Sequence, residues 1–86
     1  MLNAQKKKRI IEKYKTHETD TGSPQVQIAI LTAEIKELTE HLKSHKKDFS
    51  SRRGLIKKVS ERRKLMKYLK REDAKAYDDL MATLKV

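Results

Sequence analysis

The stretch from Ser23 to Leu42, Ser-Pro-Gln-Val-Gln-Ile-Ala-Ile-Leu-Thr-Ala-Glu-Ile-Lys-Glu-Leu-Thr-Glu-His-Leu, decides the fold of this 86-residue chain. It begins with a helix start signal, because Ser23 is a favoured N-cap and Pro24 loses no hydrogen bond at the first helical position. Large apolar residues then recur at steps of 3, 4, 3 and 4, at Ile28, Leu31, Ile35, Leu38 and Leu42. Such a seam packs against a facing helix. The pattern therefore predicts a long helix, running to about His45, with a partner helix against it.

The facing helix is predicted from about Ser50 to Arg71. Its apolar face is expected to consist of Leu55, Ile56, Val59, Leu65, Met66 and Leu69. At 1.5 Å of rise per residue, the two helices would form a hairpin about 30 Å long.

Two shorter helices are predicted at the ends of the chain. Asn3 is a plausible N-cap for a first helix that runs to about Lys15, and Asp73 for a last one. The apolar face of the last helix would be Tyr77, Leu80, Met81 and Leu84. The segment 16–23 has no apolar residue and is interpreted as a loop. We therefore expect one all-α domain over residues 1–86, in which a long antiparallel hairpin carries a short N-terminal helix and a C-terminal helix that packs back on it.

The composition excludes several classes of function. The chain has no cysteine, so disulfides, thiolate nucleophiles and cysteine-based zinc sites are ruled out. We find no Ser-His-Asp set, no pair of catalytic carboxylates and no glycine-rich phosphate loop, and expect neither enzymatic activity nor a cofactor. No apolar run is long enough to cross a membrane, and no signal or transit peptide is recognisable, which favours a cytoplasmic protein. An organelle-encoded protein would look the same.

The charge of the chain is concentrated rather than spread. Lys and Arg number 22 against 12 acidic residues, a formal net charge of +10, and such a field attracts polyanions. Residues 52–71 alone hold ten basic residues against one acid: Arg52, Arg53, Lys57, Lys58, Arg62, Arg63, Lys64, Lys67, Lys70 and Arg71. Glu61 cannot neutralise so many cations. The facing helix therefore presents a basic surface, unless it is partly paired with Glu34, Glu37 and Glu40 of the long helix.

A few side chains stand out as candidate ligand contacts. His41, His45 and Asp48 lie at i, i+4 and i+7, where they would bind a nucleic acid, face the helix dipole or, less plausibly in so small a domain, hold zinc. Gln27 is not needed for capping and lies near Thr21 and Gly22, so it is either available to a ligand or simply solvated.

Two further positions on the facing helix leave alternatives open. Tyr68, among Lys64, Lys67 and Arg71, either stacks on a base or packs in the core. Gly54 serves either close helix packing or close approach of a nucleic-acid backbone.

Two classes of function remain on these grounds. The first is a helical nucleic-acid binder, with RNA favoured over DNA because both central helices are longer than a recognition helix and the bend between them is basic. The second is a helical module that dimerises through the seam from Ile28 to Leu42.

Five blocks of the sequence also match a known family, in order and in spacing. They are Thr21-Gly22-Ser23-Pro24-Gln25-Val26-Gln27, Leu38-Thr39-Glu40-His41-Leu42, His45-Lys46-Lys47-Asp48, Ser51-Arg52-Arg53-Gly54-Leu55, and Arg62-Arg63-Lys64-Leu65 with Tyr68-Leu69. The chain resembles the family of the fifteenth protein of the bacterial small ribosomal subunit, over nearly its whole length.

The resemblance implies a monomeric four-helix protein that binds the central domain of 16S ribosomal RNA at two places. One is a three-way junction, contacted by Thr21, Gly22, Gln27 and Tyr68, with Arg and Lys of the third helix on phosphates. The other is a G·U/G·C element, whose minor groove is read by His41, Asp48 and Ser51. Neighbouring small-subunit proteins and large-subunit RNA are implied as further partners. The candidate RNA-binding residues are Thr21, Gly22, Gln27, His41, His45, Asp48, Ser51, Arg52, Arg53, Arg62, Arg63, Lys64, Tyr68 and Arg71.

The chain departs from the family pattern in two places. Phe49 and Ser50 stand where the family often has two histidines, and the usual Leu-Gly-Leu-Arg-Arg ending is replaced by Thr83-Leu84-Lys85-Val86. Neither departure touches the blocks that carry the resemblance.

Overall fold

The computed structural model describes residues 3–15 and 22–84, which form four α-helices and no strand. These are α1 (Ala4–Tyr14), α2 (Pro24–Ser44), α3 (Phe49–Glu72) and α4 (Ala74–Leu84). The predicted all-α architecture is confirmed, and the helix ends agree with prediction to within a residue or two. The described part of the chain is elongated, at 40 × 27 × 19 Å.

Each helix begins at a side chain that caps it. The Asn3 side chain accepts from the Lys6 amide at 2.8 Å, and the Ser23 hydroxyl accepts from the Val26 amide at 3.3 Å. Asp48 and Asp73 accept in the same way from the amides of Ser51 and Ala76, both at 3.1 Å. These bonds satisfy amides that have no partner within the helix. All four starts are encoded locally in the sequence.

Of the predicted α2 seam, Ile28, Leu31 and Leu38 are buried, whereas Ile35 and Leu42 are half-buried. On α3 the predicted apolar face is wrong at Ile56, which is 65% exposed. Leu55 and Val59 of the predicted face are half-buried, and Arg62, which was not part of that face, contacts Thr32 of α2. Ile56 is one residue, or about 100°, away from Leu55 around the helix and therefore faces outward.

Two charged residues of α3 occupy positions that a purely apolar seam would fill. The Arg62 Nε donates to Thr32 Oγ1 of α2 at 2.7 Å, and the Lys58 ammonium lies 3.3 Å from Glu34. The Nη2 atom of Arg62 is buried. The expected pairing of α3 with α2 acids is thus found at Glu34. The two other acids named in the sequence, Glu37 and Glu40, pair elsewhere, with Lys6 of α1 and Lys43 of α2.

The core lies at the end of the hairpin where α4 folds back. Ile28 of α2, Leu69 of α3 and Leu80 of α4 are buried together. Partly buried side chains surround them: Tyr14, Leu65, Met66, Ala76, Tyr77, Met81 and Leu84. The predicted apolar face of the last helix is therefore confirmed. The buried residues Val26 and Ala29 extend the core on α2 and were not among the predicted seam residues.

The first helix is attached to α2 with little apolar area. None of its residues is buried, and Ile10, Ile11 and Tyr14 are only half-buried. One ion pair joins the Lys6 ammonium to the Glu37 carboxylate at 3.1 Å, between side chains that are both partly exposed. Exposed pairs of this kind add little stability.

Candidate nucleic-acid interface

The bend between α2 and α3 gathers three candidate side chains around one carboxylate. The Asp48 Oδ2 atom lies 2.8 Å from His41 Nε2 and accepts from the Ser51 hydroxyl at 2.7 Å. The other oxygen, Oδ1, accepts from the Ser51 amide. His41 comes from the last turns of α2 and Ser51 from the first turn of α3, so the hairpin itself assembles the group. We call His41, Asp48 and Ser51 the bend cluster.

The bend cluster holds its carboxylate ionised. The hydrogen bonds from the Ser51 hydroxyl, the His41 ring and the Ser51 amide keep the pKa of Asp48 well below its ordinary value of 3.8. An ionised carboxylate has about four acceptor sites, of which the cluster uses three. The Asp48 side chain is 34% exposed. One acceptor site is therefore available to a donor from outside, in an orientation set by the other three bonds.

His45 is placed by His41 rather than by a metal ligand set. The two imidazole rings are stacked, with centroids 4.4 Å apart and planes within 6° of parallel. The His45 Nδ1 atom lies 3.2 Å from the His41 carbonyl oxygen. This atom is therefore directed at backbone and away from Asp48. Among residues 3–15 and 22–84, no group of three or more His, Asp or Glu side chains is arranged to hold a metal ion.

Basic side chains surround the bend cluster. Lys46, Lys47, Arg52 and Arg53 are all exposed. The Arg52 guanidinium donates to the Lys46 carbonyl at 2.7 Å, which ties the start of α3 to the turn. A single ionised carboxylate thus lies among four cations at the tip of the hairpin.

The basic surface predicted on α3 is present, with two exceptions. Eight of the ten cations are exposed: Arg52, Arg53, Lys57, Arg63, Lys64, Lys67, Lys70 and Arg71. Lys58 and Arg62 are half-buried and bound to α2. The structure thus corrects our expectation that Arg62 is a free surface charge. Its spacing from Val59 and Leu65, three residues each way, was the signal in the sequence.

The second candidate contact region lies at the other end of the hairpin. A groove of about 460 Å³ between α2 and α3 is lined by Gln27, Lys58 and Lys64 and also by the acidic Glu34 and Glu61. Tyr68 is 47% exposed, and the Arg71 guanidinium lies 5.5 Å from its ring centroid. Tyr68 is therefore not the core residue that its spacing also allowed.

Gln27 is exposed. The sequence suggested that its side-chain amide is available to a ligand, but in the structure this amide is hydrogen-bonded. The amide nitrogen donates to the carbonyl of Gly22, which fixes the chain just before α2. Thr21 lies outside the described residues. The 14 residues from Gln27 to His41 separate the two candidate regions by about 20 Å along α2.

Gly54 faces open space. A Cβ atom added at this position would meet no atom within 4 Å. Close packing of helices is therefore not the reason for a glycine in the second turn of α3. The alternative, close approach of a ligand, remains.

In the sequence, Phe49 stands out only as a departure from the family pattern. The structure places it at the first position of α3, with 60% of its surface exposed and the Arg52 guanidinium 5.8 Å from its ring centroid. Its position directly after a capping aspartate and off the apolar seam was the available signal.

The dimerising module that the sequence left open can be compared with the structure. Dimerisation through the α2 seam would need Ile28, Leu31 and Leu38 to be accessible, whereas all three are buried within the chain. None of the helices in the described ranges is long and apolar enough to cross a membrane.

Comparison of the sequence with known proteins gives a family that is consistent with the four-helix fold and the basic surface of α3. The family model described as Ribosomal protein S15 matches residues 6–86. The small ribosomal subunit protein uS15 of Carboxydothermus hydrogenoformans is 59% identical over 83 residues, which cover 96% of this chain and 93% of that protein. The proteins of the same name from Staphylococcus carnosus and Staphylococcus epidermidis are each 54% identical over the same shares of both chains. By this extent of similarity, the four-helix chain with its basic third helix belongs to the ribosomal protein S15 family.

Proposed function

We propose that this protein, a structural constituent of the small ribosomal subunit and not an enzyme, binds the central domain of 16S ribosomal RNA at two places. The bend cluster reads the minor groove of a G·U/G·C element. The opposite end of the hairpin, with Thr21, Gly22, Gln27 and Tyr68, binds a three-way junction. Neighbouring small-subunit proteins and large-subunit RNA at the subunit interface are further partners in this proposal.

The bend cluster is the observation that carries the proposal. Its carboxylate would be repelled by bare phosphate but accepts from a guanine amino group, the donor that a minor groove exposes. A-form RNA offers base edges and 2′-hydroxyls in a wide, shallow minor groove, while its major groove is too narrow for side chains. The four cations around the bend supply phosphate contacts on either side. An acid in the middle of a basic tip is thus better suited to base readout than to backbone binding.

The groove end of the hairpin supports the second contact. Tyr68 offers an exposed ring beside a guanidinium, an arrangement that stacks on unpaired bases or sugars such as those at a junction. Lys64 of the groove and the exposed Arg63 and Lys67 lie on the same stretch of α3. Two sites about 20 Å apart on one rigid hairpin would hold two RNA elements in a fixed relation. That relation is what stabilising a junction requires.

The proposed base readout by the bend cluster is tested by the substitution Asp48→Asn. Asparagine caps helices about as well as aspartate, so the fold should be preserved while the charge and one acceptor oxygen are lost. We expect binding to weaken by roughly 1 to 3 kcal/mol on an RNA arm with the G·U/G·C element, and much less where ordinary pairs replace it. Filter binding to both arms measures the difference.

The matched control is Asp73→Asn, which makes the same substitution at the cap of α4, away from the bend. It should change the affinity for neither RNA arm. Equal losses on the two arms for Asp48→Asn, or losses that follow unfolding, would leave Asp48 as a helix cap alone.

The proposed phosphate binding is tested by substitutions on α3. Arg62 is left unchanged, because its side chain bonds to α2 and supports the fold. Replacing Arg63, Lys64 and Lys67 with alanine should weaken RNA binding and reduce its salt dependence, by up to about 0.9 in log-log slope per lost contact. Lys75 of α4 is an exposed cation on another helix, and Lys75→Ala serves as the control. A triple variant that stays folded with the parent slope would exclude α3 as the RNA-binding surface.

A footprint on small-subunit ribosomal RNA tests the proposal as a whole. Protection is expected at one three-way junction and one nearby helical arm. A concentration-dependent dimer that leaves no footprint would instead favour the interaction-module alternative.

A further inference from the structure

Phe49 is a large apolar side chain that contributes nothing to the core. It is 60% exposed at the start of a helix that Asp48 already caps. A single exposed apolar residue is common on protein surfaces. Phe49 differs because a guanidinium is held beside it: Arg52 lies 5.8 Å from the ring centroid and is fixed by its bond to the Lys46 carbonyl. The ring and the planar cation thus form a pair with one side open to solvent.

The surroundings of this pair select a nucleic acid as its occupant. Lys46, Lys47 and Arg53, its neighbours in the chain, are exposed, as is Arg52. A polyanion with flat apolar faces satisfies both the charge and the exposed ring. Phe49 is also the immediate neighbour of Asp48 in the bend cluster. An RNA strand whose groove is read by Asp48 would therefore pass within reach of the Phe49 ring.

A protein partner fits this surface less well. The nearest exposed large apolar side chain on α3 is Ile56, seven residues and about 10 Å further along the helix. Arg52 and Arg53 lie between them in the chain. Two isolated side chains separated by cations do not make the contiguous apolar patch of several hundred Å² that marks protein interfaces.

We infer that Phe49 and Arg52 form a stacking site for one unpaired RNA base at the hairpin bend. The inference rests on the proposed RNA-binding function and adds to it a contact outside the bend cluster. The bend cluster reads paired bases through the minor groove, whereas Phe49 takes a base that is not paired. Any of the four bases has a face that can stack on the ring, so the site favours an unpaired position and not a particular base.

The test compares Phe49→Ala with Phe49→Leu and with Ile56→Ala. Phe49→Ala should weaken binding to small-subunit ribosomal RNA roughly tenfold, within the range for losing one base–aromatic stack. Phe49→Leu keeps much of the apolar area without the ring and should behave like Phe49→Ala. Ile56→Ala, at a position of equal exposure on the same helix, should bind like the parent. The salt dependence should be unchanged in all three variants, because none alters a charge.

Chemical probing of the bound RNA identifies the stacked base. One unpaired nucleotide near the protected arm should be shielded from a base-reactive reagent by the parent protein and become reactive with Phe49→Ala. If Phe49→Ala binds like the parent while Asp48→Asn is weakened, the stacking site is refuted and the proposed function stands. If the parent leaves no footprint at all, the proposed function fails and the inference with it. A loss of affinity shared equally by Ile56→Ala would also overturn the inference, since it would indicate general apolar contact.

Discussion

Replacing Gly54 with alanine should make the free protein more stable and its RNA complex weaker. Glycine in a helix interior is less favourable than alanine by up to about 1 kcal/mol. At Gly54 the added methyl group would meet no atom within 4 Å, so no steric cost offsets this gain. In a chain of this length, 1 kcal/mol corresponds to a rise in melting temperature of about 4 to 8 °C.

The expected loss of RNA affinity follows from the position of Gly54 within the basic surface of α3, next to Arg53 and three residues after Ser51 of the bend cluster. If the RNA backbone approaches the bare helix there, a methyl group separates the two surfaces. Thermal unfolding followed by circular dichroism measures the first effect, and RNA binding at constant salt the second. Ser60→Ala, at an exposed α3 position, controls for the effect of a more stable helix alone.

Two results would refute this reasoning about Gly54. A lower melting temperature for Gly54→Ala would mean that the site does not have room for a methyl group. A higher melting temperature with unchanged RNA affinity would mean that the glycine does not mark a close approach of RNA.

Three further outcomes are expected. Since hydrogen bonds lower the pKa of Asp48, its carboxylate stabilises the fold above pH 3.8, and this contribution is lost as the pH falls below that value. The difference in melting temperature between the parent and Asp48→Asn should therefore shrink below about pH 4. A difference that stays constant with pH would contradict the lowered pKa of Asp48. Thr32→Val removes the acceptor of Arg62 and should destabilise the protein by about 1 to 3 kcal/mol in denaturant titrations, whereas an unchanged midpoint would mean that the bond is dispensable. In hydrogen exchange on the free protein, α1 should be less protected than α2, because α1 has no buried residue; equal protection would show that it is firmly docked.

The helices could be predicted from the sequence because their starts and apolar faces are local signals. Ser23 and Pro24 mark the start of α2, and the spacing of apolar residues marks its buried side. At Ile56 the same reasoning was wrong, since it assigned every apolar residue near the expected face to that face. Successive side chains of a helix point in directions 100° apart, so Leu55 and Ile56 cannot both point at α2. Only the packed hairpin shows which of the two does.

The sequence predicted which residues form the candidate site but not which hydrogen bonds join them. The spacing of His41 and Asp48 placed them near each other, and the resemblance added Ser51. That both His41 and Ser51 bond the same carboxylate depends on the path of the turn between α2 and α3, which no local pattern specifies. The inward direction of Arg62 and the Gly22 contact of Gln27 depend in the same way on tertiary packing.

The bond between Arg62 and Thr32 has a consequence for the geometry of the whole hairpin. An apolar seam tolerates a slip of one helical turn, because one branched side chain replaces another at each contact. The Arg62 guanidinium does not, since its Nε donates to Thr32 and a slip of about 5.4 Å would replace that hydroxyl by an apolar neighbour such as Ile28 or Ile35. The bond between Arg62 and Thr32 therefore fixes the register of α3 against α2. By determining how far one helix extends past the other, it sets the distance between the two ends of the hairpin. In the proposed function, this distance would fix the spacing of the two RNA elements that the protein holds.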